Sequence, residues 1–96
     1  MDPADILHQR RDDVKRVVAA HRASNPRVFG SVASGAAHGD SDVDLLVDPT
    51  PETTLMDIGA IRHALQQLLG VPVDVVTPGA LPLAFRDEVL EQARPL

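Results

Sequence analysis

The 96-residue chain contains no cysteine, tryptophan or tyrosine and only two phenylalanines. The absence of cysteine excludes a disulfide framework and a thiolate metal site, and it is compatible with the cytoplasmic location that we expect. No apolar run approaches the length of a membrane-spanning helix, and the start at Met1 lacks the pattern of a signal peptide. The 44% hydrophobic content supports a core of Val, Leu, Ile and Ala. We therefore predict a single domain over residues 1–96, with no membrane contact.

Positive charge is also scarce. Nine Lys and Arg residues stand against 14 Asp and Glu residues, the formal net charge is −5, and Lys15 is the only lysine. Affinity for nucleic acids depends largely on Lys and Arg neutralising phosphates. We therefore do not expect this chain alone to bind long nucleic acids. Its charge is compatible with a nucleotide held through metal ions, or with a basic protein partner.

The spacing of apolar residues predicts an α+β fold with helices and a small mixed three-stranded sheet. The helices cover one face of that sheet and leave the other face open. A first helix is predicted from Pro3 to the Ser24-Asn25-Pro26 segment, and a second from Thr53 or Thr54 to Leu69, where Gly70 ends it. A last helix over residues 82–93 is predicted to bury Leu83, Val89, Leu90 and Ala93. The predicted strands cover residues 27–29, 42–47 and 71–76.

The stretch from residue 27 to residue 48 organises these predictions. Side chains alternate across a strand, so Asp42 and Asp44 point to one face and the apolar residues beside them point to the other. A tight turn at Gly30-Ser31 comes just before this strand. Two carboxylates on one sheet face, close to a Gly-Ser turn, predict a site for a divalent metal and phosphate.

Asp74 interrupts the apolar third strand. A carboxylate at a half-buried strand centre costs several kcal/mol unless it is paired, hydrogen-bonded or metal-bound. An arginine partner, an exposed edge strand and a metal-ligand role are all compatible with this position. If the third strand lies beside the second, Asp74 joins Asp42 and Asp44, and bound divalent cations would compensate their mutual repulsion.

The same stretch does not match three other known motifs. Gly30 and Gly35 have the spacing of a phosphate-binding P-loop, but two alanines occupy the positions of its lysine and hydroxyl residue. The glycine spacing does not match the dinucleotide fingerprint. The aspartates that begin at Asp40 have the spacing of a calcium-binding loop, but Pro51 stands where its closing glutamate belongs.

One known pattern does match. The chain contains, in order, Gly30-Ser31, Gly35 and Ser41-Asp42-Val43-Asp44. This order resembles the G-S…D-x-D signature of the polymerase-β-like nucleotidyltransferase superfamily, and the chain is most similar to its short members, the minimal nucleotidyltransferase (MNT) domain proteins. The N-terminal helix, Asp74 in the third strand and the C-terminal helix extend the resemblance over nearly the whole chain. The resemblance implies the polymerase-β-like fold.

The resemblance also implies a chemistry. In this family Mg²⁺ ions join carboxylates to a nucleoside triphosphate, and an acceptor hydroxyl attacks the α-phosphorus and releases pyrophosphate. By analogy two Mg²⁺ ions and ATP would bind here. The catalytic and metal-binding residues implied are Asp42, Asp44 and Asp74, and the nucleotide-binding residues implied are Gly30, Ser31 and Gly35.

MNT proteins are commonly antitoxins that add AMP from ATP to a tyrosine of a partner HEPN-domain ribonuclease toxin. The resemblance therefore implies a protein adenylyltransferase whose acceptor tyrosine belongs to the partner, because this chain has none. Many MNT proteins carry arginine where this chain has Ser34 and His38, which favours weak turnover. Two alternatives stay open: a non-catalytic antitoxin that neutralises its partner by binding alone and, ranked lower on charge, transfer to RNA ends.

Overall fold

The computed structural model describes residues 2–35 and 42–96, which form helices packed against a four-stranded sheet. In the described part the helices are α1 (Pro3–Gln9), α2 (Arg11–Ala20), α3 (Gly30–Ser34), α4 (Leu55–Leu69) and α5 (Leu83–Gln92), with a 3-10 turn at Pro78–Ala80. The strands are β1 (Ala23–Phe29), β2 (Val43–Pro49), β3 (Val73–Val76) and β4 (Arg94–Pro95). The predicted α+β class is confirmed. None of the described helices has both the length and the apolar character needed to cross a bilayer.

The prediction of a single N-terminal helix is wrong, because the chain bends at Arg10 and forms two helices there. Asp2 caps α1 by accepting a hydrogen bond from the backbone N–H of Ala4 at 2.7 Å, and Pro3 occupies the first turn, as expected. Arg10 then leaves helical geometry, with φ −105° and ψ 12°. The bend is needed because α1 packs against α3, whereas α2 packs against β1 and α4.

The first strand is longer than predicted. Residues 24–26 were expected to end a helix, but β1 already begins at Ala23 and includes Pro26. Arg22 and Asn25 adopt positive φ, and the pairing with β2 shifts register between Ser24 and Arg27. This irregularity accommodates a proline, which has no N–H to donate to a regular ladder.

The sheet has the strand order β3-β2-β1-β4, with β2 and β3 parallel and the other pairs antiparallel. The mixed character is confirmed, but the predicted count of three strands is wrong. The fourth strand, β4, pairs Arg94 with Val28 and Pro95 with Arg27. Two residues are too few to show the alternation that predicts a strand, and proline is tolerated because β4 lies at the edge.

The hydrophobic core lies between the helices and one face of the sheet. Alternate residues of β2 supply its centre, and Val43, Leu45 and Val47 are completely buried there together with Ile61 and Leu65 of α4. The opposite face, called the site face below, carries Asp44 and the completely buried Leu46. We expected this face to be open, but the 3-10 turn packs against β2 and covers part of it.

Helix α4 begins and ends as predicted. Thr54 and Asp57 form a reciprocal capping box, and Gly70 ends the helix with φ +69°. Leu55 was expected on its buried side but is 90% exposed. The reason is that Leu55 is the first residue of α4, beyond the part of the helix that covers the sheet.

The predicted burial along α5 is wrong at two positions. Leu83 is 81% exposed and Leu90 is also exposed, whereas Val89 and Ala93 are half-buried. Phe85 is 54% exposed. The physical reason is that α5 packs chiefly against the five-residue α3, so most of its circumference stays in solvent.

Candidate active site

The parallel pairing of β2 and β3 places two of the predicted site residues side by side. Asp44 and Asp74 are direct register partners, as are the core residues Val43 and Val73 before them. The strands of a sheet lie about 4.8 Å apart, and alternation sends both carboxylates to the site face. The expectation that the third strand lies beside the second is confirmed.

Asp42 immediately precedes β2, two residues before Asp44, and its side chain is exposed. The pKa of the Asp44 carboxyl is raised above its ordinary value, first by partial burial and then by the negative charges of Asp74 and Asp42. The three aspartates are called the carboxylate patch below. Burial and the two neighbouring carboxylates thus both favour the protonated form of Asp44.

The burial differs from expectation in one respect. Asp74 lies on an edge strand and is exposed, whereas Asp44 lies on a central strand and is partly buried. The desolvation cost expected at Asp74 therefore falls on Asp44. An exposed edge strand was one of the alternatives for Asp74, and it is the one observed. The Asp74 carboxylate is therefore accessible to solvent.

An arginine partner was the other alternative for Asp74. Within residues 2–35 and 42–96, the ion pairs are Arg10–Asp13, Arg16–Asp13 and Arg27–Asp48, and none includes the carboxylate patch. Arg62 comes near Asp74 along the chain, but its Nε donates to the backbone carbonyl oxygen of Val73 at 3.2 Å. Within the described part of the chain, Asp74 thus forms no ion pair with an arginine.

Asp48 shows by contrast what a structural aspartate looks like in this sheet. It lies further along β2, where it pairs with Arg27 of β1 and accepts a hydrogen bond from the Asn25 side chain at 3.1 Å. The Arg27 side chain is only 14% exposed. Asp48 is therefore paired with a cation, whereas no ion pair within residues 2–35 and 42–96 includes Asp44.

Gly30 lies against the Asp44 carboxylate. Phe29, which precedes it, is the antiparallel register partner of Asp44. Gly30 has φ +72°, and a Cβ atom at this position would stand 2.5 Å from Oδ2 of Asp44, closer than real contacts allow. Both observations require glycine. The structure thus brings Gly30 together with Asp44.

Ser31 and Gly35 lie at the two ends of the short helix α3. Ser31 is half-buried in the first turn, and its carbonyl oxygen accepts hydrogen bonds from the Gly35 N–H and from the Ser34 hydroxyl, the latter at 3.1 Å. Gly35 has φ +79°, and nothing lies within 4 Å of the position that its Cβ would take. Gly35 therefore ends α3 and does not touch Asp44. Ser41 and His38 lie outside the described residues.

The donor set of the carboxylate patch suits a hard cation. Mg²⁺ is bound in proteins through carboxylate and phosphate oxygens, and the patch offers only carboxylates. In residues 2–35 and 42–96, three acidic or histidine side chains nowhere converge into a complete metal-binding group. The metal-binding roles of Asp42, Asp44 and Asp74 therefore stay a prediction.

A groove of about 330 Å³, called the Gly30 groove below, opens beside this turn. Gly30, Ala33 and Ser34 form one wall, and residues 91–94 form the other. Sequence reasoning missed this second wall, which includes Arg94. A two-residue strand at the end of the chain carries no periodic pattern that would have predicted its position.

Comparison with known proteins agrees with this geometry. The sequence pattern of the nucleotidyltransferase domain matches residues 10–96, so the chain belongs to the nucleotidyltransferase-domain family. A solved minimal nucleotidyltransferase is 46% identical, with a TM-score of 0.89 over 100% of this chain and 97% of that one. The predicted resemblance to minimal nucleotidyltransferases is confirmed.

Two relatives within the family are named as protein adenylyltransferases. The protein adenylyltransferase MntA of Thermococcus cleftensis is 38% identical over 65 residues, which cover 68% of this chain and 66% of that protein. A Methanocaldococcus jannaschii protein assigned as a protein adenylyltransferase is 28% identical over 86 residues, which cover 85% of this chain and 92% of its own.

A crystal structure of a toxin–antitoxin complex with AMP-PNP shares the fold. Its TM-score is 0.75 at 19% identity, over 88% of this chain and 69% of that one. At that identity the similarity establishes the fold alone.

Proposed function

We propose that this protein is a metal-dependent antitoxin that transfers AMP from ATP to a tyrosine hydroxyl of a partner HEPN-domain ribonuclease toxin. The observation that carries the proposal is the carboxylate patch itself, with Asp44 and Asp74 in direct register and Gly30 against the Asp44 carboxylate. The similarity to proteins named as adenylyltransferases supports the transferred group and the protein acceptor.

The carboxylate patch would bind Mg²⁺ through Asp42, Asp44 and Asp74. When bound, Mg²⁺ offsets the charge of the phosphates and lowers the pKa of the acceptor hydroxyl. In the transfer a bond forms between the acceptor oxygen and the α-phosphorus, and the bond from that phosphorus to pyrophosphate breaks. Asp74 orients the acceptor hydroxyl and takes up its proton, a role that its exposed position on an edge strand permits.

Gly30 and Ser31 position the nucleotide. Without a side chain at Gly30, the backbone can approach the phosphates while the Asp44 carboxylate keeps its place. Ser31 offers its hydroxyl and its backbone N–H in the first turn of α3. Gly35 contributes indirectly, because its left-handed conformation ends α3 after five residues.

A second protein must supply the acceptor, since this chain contains no tyrosine. The exposed side chains of Leu83 and Phe85 on α5 support a protein partner. An acidic chain of net charge −5 favours a basic partner surface.

Ser34 favours the second candidate, a non-catalytic antitoxin that keeps the fold as a scaffold. Its hydroxyl donates to the carbonyl oxygen of Ser31, and it brings no cation to the turn that would face the phosphates. Binding alone would then neutralise the partner.

Label transfer separates the candidates. The protein, its HEPN-domain partner, Mg²⁺ and α-labelled ATP are mixed, and the unmodified chain is compared with Asp42→Asn. Asp12→Asn is the matched control. It removes the same charge as Asp42→Asn, and Asp12 is exposed on α2. Adenylyl transfer is expected for the unmodified chain and for Asp12→Asn, and its loss is expected for Asp42→Asn.

Three other results would argue against the proposal. Label that persists in Asp42→Asn would remove the carboxylate patch from catalysis. Inhibition of the partner without any label transfer would favour the non-catalytic antitoxin. Label that moves to RNA added to the same mixture, and not to the partner protein, would favour transfer to RNA ends.

A further inference from the structure

The outer edge of β3 is closed by α4 at one position. In the described sheet, β3 has β2 as its neighbour on one side only. The Val43 N–H donates to the carbonyl oxygen of Pro72, so the Pro72 carbonyl points towards β2 and the backbone groups of the next residue, Val73, point outward. The Val73 N–H donates to Oε1 of Gln66, and its carbonyl oxygen accepts from Nε of Arg62, both at 3.2 Å. Side chains of α4 therefore satisfy the outward backbone groups of Val73.

Val75 is the next residue of β3 that faces outward. The alternation along the strand directs the backbone groups of Asp74 to β2 and those of Val75 away from it. Within residues 2–35 and 42–96, no hydrogen bond satisfies the N–H or the carbonyl oxygen of Val75. Two residues further on, the Thr77 carbonyl oxygen accepts from the Ala80 N–H at 3.0 Å, in the 3-10 turn. Val75 thus presents a donor and an acceptor between two positions whose carbonyl groups are already bonded.

This pair of backbone groups selects the kind of molecule that can bind. An outward N–H and C=O on one strand residue are complementary to a second extended backbone, which supplies an acceptor and a donor at the same spacing. A helix uses its own backbone groups internally, and a nucleic acid has no peptide groups to offer. The molecule that matches the outward groups of Val75 is therefore an extended protein segment.

A groove of about 420 Å³, called the Leu55 groove below, lies at the same end of β3. Its lining includes Val75 and Val76 of β3 and Leu55 and Ile58 of α4. Leu55 is exposed, so this groove carries apolar surface that the described chain does not cover. Successive side chains of a strand point to opposite faces of the sheet. A strand added beside Val75 would therefore direct one side chain to the face of Val75 and the next to the face of Asp74.

We propose that the edge of β3 at Val75 binds an extended segment of the partner protein, and that this segment carries the acceptor tyrosine. The inference rests on the proposed adenylyl transfer and adds to it the surface that positions the acceptor. Neighbouring strands lie about 4.8 Å apart, so a side chain of the segment on the site face comes beside Asp74. The side chain that follows or precedes it occupies the Leu55 groove. The exposed carboxylates of Asp42 and Asp74 favour basic residues in the segment.

Val75→Pro and Val75→Ala form a matched pair of variants. Proline removes the outward N–H, leaves the hydrogen bonds between β2 and β3 in place, and is tolerated on an edge strand. Both substitutions replace the valine side chain that packs in the core, so the difference between them reports the N–H. Calorimetric titration with the HEPN-domain partner is expected to show about three- to tenfold weaker binding for Val75→Pro than for Val75→Ala. In adenylyl transfer the same difference is expected in KM for the partner, with kcat within about twofold. Thermal unfolding shows whether each variant is folded.

Amide hydrogen exchange tests the same contact in the unmodified chain, and it decides the matter if Val75→Pro does not fold. The exchange of single N–H groups is followed by NMR with and without the partner. Exchange at Val75 is expected to slow about tenfold or more when the partner binds, because its N–H gains an acceptor. The Asp74 N–H, which points to β2, is the internal reference and is expected to change much less.

Unchanged exchange at Val75 in the presence of bound partner would overturn the inference, and so would equal partner affinity of folded Val75→Pro and Val75→Ala. Slow exchange at Val75 in the chain alone, together with a dimer in light scattering, would assign this edge to a second copy of the chain. AMP transfer to the partner without protection of Val75 would contradict the inference alone. Protection of Val75 without any AMP transfer would contradict the proposed function, which separates the two failures.

Discussion

At the scale of single residues, the site depends on the contact between Gly30 and Asp44. The carboxylate fills the space that a side chain at position 30 would need, and the backbone there is left-handed. Each residue restricts the other, because glycine permits the close approach and Asp44 excludes any larger residue. The requirement for glycine is thus local and geometric.

Gly30→Ala is expected to lose activity beyond its effect on stability. Left-handed backbone costs alanine about 1–2 kcal/mol, and the new Cβ would also displace the Asp44 carboxylate. Gly70→Ala is the matched control, because Gly70 has φ +69° and nothing within 4 Å of its Cβ position. Urea unfolding should show the cost of the left-handed backbone in both variants, and only Gly30→Ala should lose adenylyl transfer. Equal transfer by the two variants would contradict the role of Gly30.

Asp44→Asn is expected to be more stable than the unmodified chain at pH 7 without metal ions. A pKa raised in the folded state means that folding favours the protonated carboxyl, so its contribution to stability is present at low pH and is lost as pH rises through the folded pKa. Asparagine does not ionise and avoids that loss. Thermal unfolding in EDTA from pH 7 down to about pH 4 should show an advantage that shrinks as the pH falls.

Asp12→Asn is the control for Asp44→Asn and should show no comparable advantage, because Asp12 is exposed on α2. An Asp44→Asn variant that is less stable at pH 7 would contradict the expected cost of a negative charge at Asp44. The gain in stability should accompany loss of transfer, as is common where function requires an unfavourable charge.

The positions of the aspartates could be predicted from the sequence better than their burial. Alternation in the sequence was sufficient to place Asp44 on the face opposite the core. It could not show that Asp44, and not Asp74, is the partly buried carboxylate. Burial depends on which strands lie on each side, and only the sheet order reveals that β2 is central and β3 is at the edge.

At the scale of elements, α4 and α5 differ in how well the sequence predicts them. The capping box and Gly70 are local signals, and α4 begins and ends where they predict. Apolar periodicity also predicted α5, but it could not show that only the short α3 lies beside it. Periodicity identifies an apolar side of a helix without identifying what covers that side. Leu83 and Phe85 are exposed for this reason.

Phe85→Ser on α5 is expected to weaken association with the partner protein. The ring is 54% exposed in the chain alone, so its removal should change the free energy of unfolding by less than about 0.5 kcal/mol. If α5 meets the partner, loss of an aromatic anchor should cost about 1–2 kcal/mol of binding, which is roughly five- to thirtyfold in Kd. Calorimetric titration of the partner measures the difference.

Gln67→Ser is the control for the α5 prediction, because Gln67 is exposed on α4. It should bind the partner as the unmodified chain does. Unchanged binding by Phe85→Ser would place the partner on another surface, and the exposed Leu55 and Met56 at the start of α4 would then be the next positions to substitute.

At the scale of the whole molecule, the fold separates stability from chemistry. Helices α2 and α4 cover one face of the sheet and bury its apolar residues, while the carboxylate patch lies on the other face. The family could be predicted from the spacing of a few residues, because the glycine turn and the aspartates are close in sequence. The Gly30 groove could not, since its second wall comes from the opposite end of the chain.

Mg²⁺ and ATP together are expected to stabilise the folded chain in the absence of any partner. A ligand at a hundred times its Kd adds about 2.7 kcal/mol to the free energy of unfolding, and each kcal/mol shifts Tm by about 4–8 °C in a domain of this size. The shift should require both components, because the acidic patch repels ATP without a cation and offers a lone cation no phosphate ligands. Asp12→Asn should retain the shift, and Asp42→Asn should lose it. A shift that persists in EDTA, or that survives Asp42→Asn, would show that ATP binds this molecule away from the carboxylate patch.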